Sequence, residues 1–153
     1  MTKPEPMTSE SVMDVLKGNR FRFSLDNGHY KDYLIESRKI AEKILKRSTV
    51  NIDRGLQTIR EHFKEVSDPQ YRSVFLMRLY QVGLEQVKPR EVAELTKLLF
   101  DTEGERIITK QQIRRGLVRL FWRFEDILLD VPKAPQFLAQ ILSFLNLRQV
   151  INA

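Results

Sequence analysis

From about residue 30 onward, apolar residues return every three or four positions, and each run opens on a helix-start signal. Leu34, Ile40, Ala41, Ile44 and Leu45 make the first stripe. Asn51 is a good N-cap for a second stripe of Ile52, Leu56, Ile59, Phe63 and Val66. Asp68-Pro69 supplies an acceptor for orphan amides and then a proline in the first turn, where it forfeits no hydrogen bond. The segment behind it, YRSVFLMRLYQVGL, is apolar nearly all round, as a central buried helix must be. Lys88-Pro89 opens a helix carrying Val92, Leu95, Leu98 and Leu99. After a loop over residues 101–105, Thr109 and Gln112 have the form of a capping box ahead of Ile113, Leu117, Leu120, Phe121 and Phe124. Pro135 opens the last helix, through Phe137, Leu138, Ile141, Leu142 and Leu145. Short links between such helices favour antiparallel neighbours, so the pattern predicts packed helical hairpins over residues 30–153. Gly55, Gly83 and Gly116 fall inside helices, where each costs about 1 kcal/mol against alanine, which points to close approach of a neighbouring helix.

Residues 1–29 read differently. Ser9 through Leu16 has the makings of a short helix, and FRFSLDNGHY alternates Phe21, Phe23 and Leu25 before Asn27-Gly28. Only Tyr30 remains to start a return strand, so the sequence predicts an extended arm rather than a hairpin. The polar, proline-bearing start is no signal peptide, and no apolar run approaches the ~18 residues of a membrane span. The 153 residues, 42% of them hydrophobic, suffice for one domain with its own core. Cysteine is absent, which excludes disulfides and thiolate metal sites and suits a reducing compartment. A net charge of +6 permits acidic partners without requiring them.

Nothing in the chain spells out catalysis. His29 and His62 lack the spacing of a metal pair on one helix and read as surface residues. The six glycines are too scattered for a phosphate loop, and no serine sits in a nucleophile elbow. The one pair of acids worth weighing is in FEDILLDVPKAP, residues 124–135, where Asp126 and Asp130 bracket Ile127, Leu128 and Leu129. Paired carboxylates are what glycoside hydrolysis needs, but a general acid also needs burial in a cleft that this small helical domain does not promise. The expectation is therefore no enzyme, no cofactor, no metal and no small-molecule substrate. Asp130 could instead cap the last helix, with Asp126 a solvated charge at the end of the long helix before it. Alternatively, Ile127 and Leu129 turn inward and hold both carboxylates on a rigid edge, ready for a partner's arginines.

The stretch GLVRLFWRFEDILLDVPKAPQFLAQIL resembles the MA-three domain family, the helical module of programmed cell death protein four and of the translation initiation factor four-G scaffold. Gly116, Arg119, Phe121, Asp126, Leu129, Asp130, Val131, Pro132, Ala134 and Pro135 fall into that family's register without a gap, and ITKQQIRRG matches upstream. The resemblance implies stacked antiparallel helical hairpins of the HEAT-like type. It implies binding to a DEAD-box RNA helicase of the initiation factor four-A type, in the cytoplasm or the nucleus, through Asp126 and Asp130 with Pro132 beside them. Relatives also use acids on the second helix, whose counterparts here are Gln57 and Glu61, so one of the two is not a carboxylate. Trp122 departs from the family pattern. It lies opposite the apolar stripe among Arg115, Arg119 and Arg123, a set that would suit single-stranded RNA or a second protein, unless another helix or the Phe21, Phe23, Tyr30 arm covers it. RNA binding on that face is the alternative function.

Overall fold

The computed structural model describes residues 27–100 and 106–145, and every regular element among them is a helix. In chain order these are α1 (Asn27–Leu45), α2 (Ile52–Glu65), α3 (Pro69–Glu85), α4 (Pro89–Phe100), α5 (Lys110–Trp122), α6 (Phe124–Asp130) and α7 (Ala134–Leu145). The starts are built from the local chemistry expected of them. Asn51 Oδ1 accepts the Arg54 amide at 3.1 Å, and Asp68 Oδ1 accepts the Gln70 amide at 2.9 Å behind Pro69. Thr109 and Gln112 exchange both bonds of the capping box, at 2.9 and 3.1 Å.

Two boundaries differ from expectation. Asn27 and Gly28 are already helical, so the Asn-Gly pair is not a turn. At a helix's first turn neither residue costs what it would in the interior. The chain also breaks at Arg123 (φ −98°, ψ 1°), which divides the expected long helix into α5 and a separate α6. The helix expected over Ser9–Leu16, the Phe21/Phe23 arm and the 101–105 loop lie outside the described residues.

α3 is the hub. Tyr71, Val74, Phe75, Leu76, Met77, Leu79, Tyr80, Val82 and Leu84 are all fully buried, because α1 and α5 flank it while α4 and α7 close over it. α1, α3 and α5 form one layer; α2, α4 and α7 pack side by side as the other. Tyr33 near the start of α1 meets Asp68 and Tyr71, and Lys88 just past α3 reaches the Ser48 carbonyl just past α1. Gln112 at the start of α5 likewise bonds the Pro69 carbonyl. The first-layer helices therefore run in the same sense, as in stacked helical hairpins of the HEAT type. A Cβ at Gly116 would lie 3.0 Å from Leu76 Cβ and 3.1 Å from the Ser73 carbonyl oxygen, so α5 rests on α3 backbone to backbone. The consequence for function is positional: the C-terminal ends of α1, α3 and α5 share one edge.

Candidate functional site: an acidic cleft where α3 and α5 end

α6 is seven residues long, and its two faces explain the DILLD motif. Phe124, Ile127 and Leu128 are spaced i, i+3, i+4, and they turn inward, with Ile127 4% exposed. Asp126, Leu129 and Asp130 repeat that spacing on the opposite face. Leu129 is 82% exposed. The expectation that Leu129 anchors the loop is therefore wrong: in a continuous helix, Leu128 falls on the buried side and Leu129 cannot. Nor does Asp130 cap the last helix. It is the final residue of α6, and the turn into α7 is closed by the Ala134 amide on the Val131 carbonyl at 3.0 Å. Pro132 is exposed in that turn.

Asp126, Ile127 and Asp130 form one wall of an open cleft whose other wall is the end of α3, Gln81 and Glu85, with Arg123 between. Neither aspartate makes an ion pair or side-chain hydrogen bond among the described residues. Glu85, by contrast, is held. Arg38 of α1 donates to Glu85 Oε1 from Nη1 and Nη2 at 3.1 Å each, and to Oε2 at 2.9 Å. Arg38 Nε in turn meets Glu42 at 2.7 Å, and Glu42 meets Lys46 at 3.1 Å. The hydrogen bond to Glu85 holds the Arg38 guanidinium above its ordinary value, and the bond from Lys46 holds Glu42 below its own. Arg78, one turn before Gln81 on α3, bonds it at 2.9 Å, and burial first, then Arg123 and Arg38, lowers it to about 10, still charged at neutral pH. Glu85 was not foreseen from sequence. Its relation to Asp126 is long-range, and only the parallel run of α3 and α5 brings the two together.

Gln57 and Glu61 stand apart. They are exposed on α2, 3.3 Å from each other across one helical turn, and neither lines the cleft. The arginine face around Trp122 is also not as expected. Trp122 is 55% exposed, but Arg119 is 5% exposed, with its guanidinium 5.5 Å over the Tyr30 ring. Burial lowers the Arg119 pKa, and Tyr30 partly offsets this. Arg119 therefore belongs to the packing of α5 against the start of α1, and Arg115 and Arg123 are left as half-buried flanks. Tyr30 thus packs on Arg119. His62 is not a surface residue either. It is 6% exposed, with Nε2 against the Tyr71 hydroxyl.

Among the described residues, no helix is long and apolar enough to cross a membrane. No curated protein and no solved structure matches the chain significantly. The profile of the MA3 domain, however, matches residues 38–152, three quarters of the chain and all of the layers described above except the first turns of α1. The chain belongs to the MA3 domain family, helical protein-interaction modules of translation-related proteins.

Proposed function

We propose that this MA3 domain binds a DEAD-box RNA helicase of the initiation factor four-A type through the exposed face of α6, and so regulates translation initiation without catalysing a reaction itself. One observation carries the reading. Asp126 and Asp130 are two carboxylates one turn apart, without a pairing partner among the described residues, and they flank a leucine that is 82% exposed. A monomer gains nothing from leaving that leucine in water, whereas a partner surface with arginines beside an apolar pocket uses all three side chains. Because α6 is anchored by Phe124, Ile127 and Leu128, little ordering entropy is lost on binding. Glu85 and Pro132 extend the same surface. Inhibition and delivery of the helicase both use this contact, and a helicase ATPase assay separates them.

The test is calorimetry of the full chain against the helicase, wild type beside Asp126→Ala/Asp130→Ala. The expected outcome is binding that the double variant weakens by about 2–5 kcal/mol, with Leu129→Ala weakening it independently. An unchanged affinity in the double variant, or no binding by wild type, would sink the reading. The RNA alternative on Arg115, Arg119, Arg123 and Trp122 is disfavoured by the burial of Arg119, its central member.

A further inference from the structure

Where α1 turns into α2, a second cleft opens, with the opposite charge. Its walls are Lys43 from the last turn of α1, Arg47 just past it, and Arg54 and Thr58 from the start of α2, with Asn51 at the turn; it is shallow and open to solvent. Among the described residues, no carboxylate lines it. The floor is Ile44 and Gly55. A Cβ at Gly55 would lie 2.9 Å from Ile44 Cγ2, so glycine is what lets the two helices close beneath the three cations.

Arg47 Nε donates to the Lys43 carbonyl at 3.4 Å, which leaves its two terminal nitrogens for a ligand. Asn51 caps the Arg54 amide, and Thr58 Oγ1 donates to the Arg54 carbonyl at 2.9 Å. Lys43, Arg47 and Arg54 make no ion pair among the described residues. Lys46, between two of them in sequence, is spent on Glu42. Three unneutralised cations lining one cleft, beside the positive end of a 14-residue helix, suit phosphate oxygens.

We infer that this cleft binds the phosphodiester backbone of single-stranded nucleic acid. Lys43 and Arg47 stand on one wall and Arg54 on the other, and three separate cations suit a run of phosphates better than a single one. Among the described residues no aromatic ring lines it, so the contact they make carries no base stacking and no sequence preference. The site is independent of the acidic cleft and of the tryptophan face.

Fluorescence anisotropy of the full chain with a labelled oligouridylate RNA tests this. Three phosphate contacts predict a log–log salt slope of about −2, so affinity falls roughly 20-fold between about 50 and 200 mM salt. Lys43→Gln, Arg47→Gln and Arg54→Gln should each shrink the slope by about 0.7, while Lys110→Gln at the far end of α5 leaves it unchanged. All three side chains are exposed, and unchanged far-ultraviolet dichroism checks that the variants fold. No RNA binding, or a loss equal to that from Lys110→Gln, overturns the inference. So does a phosphoserine peptide that binds through the three cations where the oligonucleotide does not.

Discussion

The His62 imidazole sits in the core with Nε2 on the Tyr71 hydroxyl, Tyr71 meets Tyr33 edge to face at 4.8 Å, and the Tyr33 hydroxyl donates to Asp68 Oδ2 at 2.9 Å. Burial holds the His62 pKa below its ordinary value, and Glu36 and Glu65 offset only part of that. The unfolded chain therefore binds a proton on this residue before the folded one does. Its contribution to stability is complete above about pH 6.5 and is lost as pH falls from there through the folded-state value. Urea denaturation should show stability declining below that pH by at most about 1.4 kcal/mol per unit from this residue, and His62→Gln should remove that share of the slope. The sequence did not reveal this role, because a lone histidine on a stripe carries no mark of its partner, and Tyr71 lies on the next helix. Leu129 was hidden for a related reason. Three consecutive aliphatic residues do not say which one faces out until the phase of α6 is known, and the residue that sets it is the break at Arg123.

Helix starts were legible and helix breaks were not. Asn51, Asp68-Pro69 and Thr109-Gln112 do their work within three residues of themselves, so the sequence displays the whole interaction. The break between α5 and α6 has no glycine or proline to announce it, and the apolar stripe runs straight through; packing of Phe124 and Ile127 against the core decides it instead. The helix-interior glycines were legible as contacts but not as to which. At Gly116 the neighbour is α3 backbone, which cannot rotate away as a side chain can. Gly116→Ala gains about 1 kcal/mol of helix propensity and loses about 1–3 kcal/mol to overpacking. The expected net is a destabilisation of up to about 2 kcal/mol, read as a lower urea midpoint with an unchanged slope. A midpoint that rises would mean that α5 can lift from α3 at little cost.

At the scale of the whole molecule, the edge where the first layer ends carries both signs of charge. The acidic cleft lies at the ends of α3 and α5 and the basic cleft at the end of α1, with the ion pairs Lys46–Glu42–Arg38–Glu85 running between them. The acidic half was half-legible, since Asp126 and Asp130 are four residues apart in sequence while Glu85 is not. The basic half was not legible, because its walls come from two helices whose closeness depends on Gly55 meeting Ile44. Trp122 is the chain's sole tryptophan, it is half-exposed, and it adjoins Arg123 in the wall of the acidic cleft. The emission of this protein therefore reports on a single place. A partner that settles over α6 and the end of α5 should shift it to the blue and shield it from acrylamide, whereas an oligonucleotide held in the basic cleft should leave it alone. One unlabelled sample can thus tell the two ligands apart by colour.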